Sequence, residues 1–127
     1  NFKNIYQAHI SEAAAATIST YPRTVNIDFG VLELNNKSEL QSYTEKPNYD
    51  YKVSMGINVF NKKSLKDFII KNEYLDIPKL MMLLKNNGDK VFCYEEDCKW
   101  LDIGRVDDYQ EAIEIFSKNK KIFLPDL

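Results

Sequence analysis

The chain is short of the residues that mark several large functional classes. Two cysteines in 127 residues, Cys93 and Cys98, are too few for a disulfide framework. With no CxxC motif or cysteine-histidine cluster beside them, they give no structural zinc site. Reduced thiols are the expected state, although a hairpin turn at Tyr94-Glu-Glu-Asp97 would bring the two sulfurs across from each other. Only four glycines occur and none are clustered, so no glycine-rich phosphate cradle is present. Basic residues are not in excess: 17 stand against 19 acidic ones, a net charge of -2, which argues against nucleic-acid polymers and anionic membrane surfaces as partners. No apolar run reaches the roughly 18 residues of a membrane span, and Asn1-Phe2-Lys3-Asn4 lacks the order of a signal peptide. A cytoplasmic location is the expectation.

What is present fits one globular domain spanning residues 1–127. Hydrophobic residues make up 44% and charged residues 28%, enough apolar surface to bury a core and too much for a disordered chain. From Phe2 to Ala16, the positions of Phe2, Ile5, Tyr6, His9, Ile10 and Ala13 predict a surface helix with one apolar face. Thr17 to Tyr21 predicts a short strand stopped at Pro22. Asp28–Leu34 and Ser38–Thr44, joined by Asn35-Asn-Lys37, predict a strand pair with a tight loop. Pro47–Asp50 reads as loop. Tyr51–Phe60 alternates Val53, Met55, Ile57 and Val59, predicting a strand with one core face at the centre of the sheet.

A helix is expected from Asn61-Lys-Lys-Ser64 through Ile70. Another is expected with Asp76 as its cap, Leu80, Met81, Leu83 and Leu84 on its buried side, and Asn87-Gly88 at its end. Lys90–Glu95 and Lys99–Ile103 predict short strands, and Val106–Lys118 a last helix. Residues 122–127 show no usable period. Interleaved strands and helices place the chain in the α/β class: a mixed sheet, partly antiparallel, with helices packed on it.

Few positions combine chemistry with placement. Glu45-Lys46-Pro47 puts an acid and a base at a strand end, where both side chains can turn into one crevice. Lysine suits a phosphate and glutamate suits sugar hydroxyls. The alternative is a solvated pair at a turn. Asp102, between apolar neighbours in Trp100-Leu-Asp-Ile-Gly104, is a candidate ligand for a hard divalent cation or a turn aspartate satisfied by backbone donors. Asp107 and Asp108 fit simple complementation of a helix dipole. Gly30 and Gly56 interrupt apolar strands and mark a bulge, close packing or the approach of a ligand. His9, the sole histidine, reads as a core or boundary residue, and Met81-Met82 as core filling.

Taken in order, Asp28-Phe-Gly-Val-Leu-Glu33, Glu45-Lys-Pro47, Val53-Ser-Met-Gly-Ile-Asn-Val-Phe60 and Trp100-Leu-Asp-Ile-Gly-Arg-Val-Asp-Asp-Tyr109 resemble the successive motifs of the sugar-1-phosphate nucleotidylyltransferases. The resemblance implies a Rossmann-like α/β/α nucleotide-diphospho-sugar transferase fold. It also implies attack of a sugar 1-phosphate on the α-phosphate of a nucleoside triphosphate, giving nucleotide-sugar and pyrophosphate. By that likeness Lys46 contacts the sugar phosphate and Glu45 holds sugar hydroxyls. Gly30, Ser54 and Gly56 line the sugar pocket, and Asp102 is a ligand of Mg2+.

Ser54-Met-Gly56 and Ile103-Gly-Arg105 are most similar to guanylyltransferases, implying GTP with a mannose-, heptose- or glucosamine-type 1-phosphate. Two departures stand out: Ser54 where many relatives carry asparagine, and Arg105 where threonine is common. The family's leading strand, glycine-rich loop and first metal aspartate have no counterpart here. The expectation is therefore a C-terminal, sugar-binding portion that is inactive alone and disposed to pair with a second copy through exposed sheet edge. A non-catalytic binding or assembly module of the same fold is the competing expectation.

Overall fold

The computed structural model describes residues 1–96, 98, 100, 102–104 and 106–124. It divides into two compact units, Asn1–Glu96 and Asp97–Leu127. The first unit begins with α1 (Phe2–Ser11), followed by β1 (Ala16–Asn26), β2 (Val31–Leu34), β3 (Leu40–Thr44), β4 (Asn48–Phe60), α2 (Ile77–Asn86) and β5 (Val91–Glu95). β1 is the middle strand of a three-stranded sheet, antiparallel to β4 and parallel to β5, and β2 and β3 form a separate antiparallel pair. The mixed sheet matches the sequence reading. Its centre does not: β4 is the outer strand of the described sheet, and β1 holds the middle.

Alternation along β1 sets up the layers. Ala16 and Ile18 point to one face, where Ala15, Ala16, Leu80, Met81 and Leu84 form a buried cluster flanked by Phe60, Leu65, Phe68, Leu75 and Val91. Thr17 points to the opposite face, where its hydroxyl lies 2.9 Å from Nδ1 of His9 on α1, and both residues are buried. The sheet is thus covered by α2 on one side and α1 on the other, and His9 is the core histidine expected. Only half of the apolar stripe of α1 is used. Ile5 and His9 are buried, whereas Phe2, Tyr6 and Ile10 are exposed.

Local chemistry explains the helix ends. In α2, Asp76 accepts from the Lys79 N–H at 2.8 Å, and Gly88, at φ +86°, lets the Asp89 N–H close on the Leu84 carbonyl at 3.0 Å. α1 stops at Ser11, short of the predicted Ala16. Ala13 adopts the left-handed conformation at φ +48°, and the Ala14 N–H bonds the His9 carbonyl. The chain then turns directly into β1.

Three further expectations are corrected. β1 does not stop at Pro22 but runs on to Asn26 in its ladder with β4; among the described residues β5 ends opposite Thr20, so no ladder on that side needs an N–H from Pro22. Asn48–Asp50 is strand rather than loop, held by Thr24 Oγ1 donating to Asp50 (2.6 Å) and Asn26 Nδ2 donating to Asn48 (2.8 Å). These cross-strand bonds offset the poor strand preference of Asn and Asp. The helix expected from Asn61 to Ile70 is a chain of turns. Asn61 accepts the Lys63 N–H through its side chain, as a helix cap would, but the segment does not go on as a helix, and Leu65 and Phe68 pack against the core.

The second unit carries α3 (Val106–Lys118), as predicted, and α4 (Lys120–Phe123), whose Phe123 ring lies 5.8 Å from that of Phe116. The predicted strand from Lys99 to Ile103 is not present among the described residues: Trp100 and Asp102 are in no strand, and Ile103–Gly104 is a turn. Lys99, Leu101, Arg105 and the side chains of Asp107 and Asp108 lie outside the described residues, as does Asp97 of the proposed hairpin turn. Cys93 and Cys98 are both free thiols. Among the described residues no helix is long and apolar enough to cross a membrane.

Candidate functional site

The β1–β4 ladder continues, through a kink, into the β2–β3 hairpin. Beyond Asn26↔Asn48 the Ile27 N–H bonds the Pro47 carbonyl at 3.1 Å and the Lys46 N–H bonds the Phe29 carbonyl at 3.3 Å, before pairing resumes at Val31↔Thr44. Four residues (27–30) therefore oppose three (45–47), and the surplus residue bends the ribbon. Glu45, Lys46 and Gly30 all lie in this kink.

Lys46 has φ +45°, a left-handed conformation unusual for a residue with a side chain. Such strain persists where neighbouring structure imposes it, here the hydrogen bond of the Lys46 N–H to the Phe29 carbonyl. Lys46 is exposed and forms no ion pair among the described residues, so its ammonium is available to an anion. Glu45, also exposed, accepts at Oε2 a 2.9 Å hydrogen bond from the Tyr43 hydroxyl. Gly30 completes the cluster. A Cβ there would stand 2.3 Å from the Tyr43 hydroxyl oxygen and 3.0 Å from Glu45 Oε2, so a side chain at position 30 would have to displace the Tyr43–Glu45 pair. Tyr43 is the member that sequence reasoning missed. The visible signal was its spacing two residues before Glu45, which places both on one side of an extended chain.

Ser54 and Gly56 occupy a different part of the ribbon. Thr20 pairs with Ser54 and Ile18 with Asn58, so one residue of β1 faces three of β4, and the extra residues form a bulge. Gly56 takes φ +76° in that bulge, with no atom near its missing Cβ, and its N–H bonds Ser54 Oγ at 3.3 Å. Its role is conformational: the bend needs the left-handed region. Across the bulge Ser19 Oγ donates to the Met55 sulfur at 3.2 Å. Ser54 lies six residues along the strand from Asn48, about 20 Å of extended chain. The structure thus brings Gly30, Glu45 and Lys46 together and sets Ser54 and Gly56 apart from them.

Asp102, in the second unit, turns one oxygen to its own backbone: Oδ1 accepts from the Gly104 N–H at 3.0 Å. Among the described residues no group of three or more His, Cys, Asp or Glu side chains is arranged to hold a metal ion. A cavity of about 320 Å³ lies elsewhere in the first unit, lined by Phe68, Ile70, Tyr74, Leu75 and Leu83 with Asp67, Glu73 and Lys79, and it contains none of the predicted site residues.

Known proteins place this geometry in context. The chain is 26% identical to the glucose-1-phosphate adenylyltransferase of Clostridium novyi, over 97% of its own length and 37% of the relative's. It is 31% identical to the Lachnospira eligens protein of the same name, over 88% of its length and 28% of the relative's. It therefore spans about a third of the length of these curated relatives. Among solved structures, HddC from Yersinia pseudotuberculosis superposes with a TM-score of 0.52 at 19% identity, covering 87% of this chain and 49% of that one, a likeness of fold. The family model described as nucleotidyl transferase matches residues 1–119, nearly the whole length, and the chain accordingly belongs to the nucleotidyl transferase family.

Proposed function

We propose that the intact protein carrying this chain transfers a nucleotidyl group to a sugar 1-phosphate. A phosphate oxygen of the sugar 1-phosphate attacks the α-phosphorus of a nucleoside triphosphate. As the new P–O bond forms, the bond from the α-phosphorus to the α–β bridging oxygen breaks, and pyrophosphate leaves with the electron pair. The observation that carries this reading is the kink at Glu45-Lys46, an available ammonium beside an oriented carboxylate, in a chain of this family.

Two polyanions must meet in this reaction, so neutralising charge at the reacting phosphates is the main requirement. Lys46 offers a compact cation to the sugar phosphate, and its constrained backbone reduces the reorganisation needed on binding. Glu45 accepts from sugar hydroxyls through the lone pairs that Tyr43 leaves free. In this reading Gly30 contributes backbone to the sugar pocket beside Glu45, and Ser54 and Gly56, set apart along the ribbon, are left without a role in that pocket. A single carboxylate such as Asp102 fits Mg2+, which commonly takes one or two carboxylates and fills its remaining positions with phosphate oxygens and water. When bound, that ion supplies further neutralisation of phosphate charge.

The relatives' names favour ATP and glucose 1-phosphate as the substrates. They give no support to the guanylyl and mannose-, heptose- or glucosamine-type specificity expected from Ser54-Met-Gly56 and Ile103-Gly-Arg105. A panel of triphosphates against sugar 1-phosphates, read by pyrophosphate release from the intact protein, tests the proposal. Turnover with ATP and glucose 1-phosphate above all other pairs is the expected result. Turnover confined to GTP would reverse the specificity, and no turnover with any pair would leave the binding-module reading in place of the enzyme.

A further inference from the structure

Tyr43 lies on β3 directly across the ladder from Leu32 and is 60% exposed, so burial does not explain where its hydroxyl goes. That hydroxyl donates to Glu45 Oε2 at 2.9 Å, while its oxygen and Cζ lie 2.3 and 2.6 Å from the point where a Cβ of residue 30 would stand. The phenol ring therefore crosses the open Cα of Gly30 to reach the carboxylate. An exposed glutamate has three rotatable side-chain bonds and would otherwise sample many directions. A hydrogen bond to an ionised acceptor is among the stronger ones available, and a carboxylate has about four lone-pair positions, so engaging one still leaves others for a ligand.

We propose that Tyr43 is a positioning residue for sugar recognition: its hydroxyl holds the Glu45 carboxylate in the direction that receives sugar hydroxyls, and Gly30 lacks a side chain so that the ring can lie there. The proposal rests on the reading of Glu45 as the sugar-hydroxyl acceptor. It accounts for three features at once: the glycine, the exposed tyrosine and the carboxylate with one oxygen already engaged. Sugar recognition in this protein then depends on a residue that does not touch the reacting phosphates.

The test is steady-state kinetics of the intact protein with Tyr43→Phe, which keeps the ring over Gly30 and removes only the hydroxyl. The expected result is a KM for sugar 1-phosphate raised about tenfold, the loss of one hydrogen bond to a charged group. The KM for nucleoside triphosphate and the thermal unfolding midpoint stay unchanged. In a Glu45→Ala background, Tyr43→Phe should add nothing further. If Glu45→Ala raises the sugar KM while Tyr43→Phe leaves it at the wild-type value, the positioning role is overturned and the site assignment survives. An equal rise in both KM values for Tyr43→Phe would also overturn it, as a general structural effect. If Glu45→Ala itself leaves sugar binding intact, the site assignment fails, and the positioning role with it.

Discussion

From Ala16 to Thr20, β1 has a strand on either side and a helix over either face; from Pro22 to Asn26 it pairs, among the described residues, with β4 alone. The first stretch is largely buried and the last three residues are exposed. One continuous strand therefore joins a packed base to a ribbon held by ladder hydrogen bonds, side-chain pairs and turn geometry. The cluster with the most evident chemistry, Gly30, Glu45 and Lys46 with Tyr43, lies on the ribbon. The base supplies a rigid root, and the ribbon presents polar groups to solvent without having to bury them.

If that division is sound, substitutions at the two ends should fail differently. The largest stability effect belongs to the base: Leu84→Ala, at a fully buried position, should cost about 2–5 kcal/mol by loss of packing and the cavity left behind. A urea titration reads this as a lowered midpoint. Next is Gly30→Ala on the ribbon, where the added methyl displaces the Tyr43–Glu45 pair. Relieving such an overlap costs about 1–3 kcal/mol where the surroundings are packed, and less here because an exposed ring can swing away. Its signature should be a higher sugar KM with only a small shift of the midpoint. The smallest effect is expected for Lys52→Ala, which breaks the ion pair with Glu95: both partners are exposed, so the change should fall within about 1 kcal/mol and shrink further with salt. A Leu84 variant that keeps its midpoint, or a Gly30 variant that loses stability while binding sugar normally, would erase the contrast.

The base was the more legible end. The α2 cap at Asp76, its stop at Gly88 and its buried leucines follow directly from residue types and spacing, as does the partly antiparallel sheet. The misreadings have local causes. Pro22 looked like a stop because nothing in the sequence shows that β5 ends before reaching it. Asn48–Asp50 looked like loop because the cross-strand partners Thr24 and Asn26 are distant along the chain. Asn61–Ile70 carried a helix-start signal, and Asn61 does accept the Lys63 N–H as a cap would, but the segment runs on as turns with Leu65 and Phe68 packed against the core. At the candidate site, Gly30, Glu45 and Lys46 were readable as a glycine and a charged pair at strand ends. For Tyr43 only its spacing from Glu45 was readable; its approach to Gly30, thirteen residues earlier, was not, because that depends on the pairing of β2 with β3.

Of the proposed contacts, that between the Lys46 ammonium and the sugar phosphate is the one on which transfer most depends. Comparing Lys46→Ala with wild type in the intact protein, by initial rates of pyrophosphate release and by thermal unfolding, isolates that claim. The predicted result is a fall in kcat/KM of about 10²–10³, the scale of removing one charge-stabilising group from a transition state. The unfolding midpoint should hold, since this exposed side chain is not part of the packed core and alanine meets the same left-handed backbone that lysine does. A variant that transfers at a rate close to wild type would contradict it.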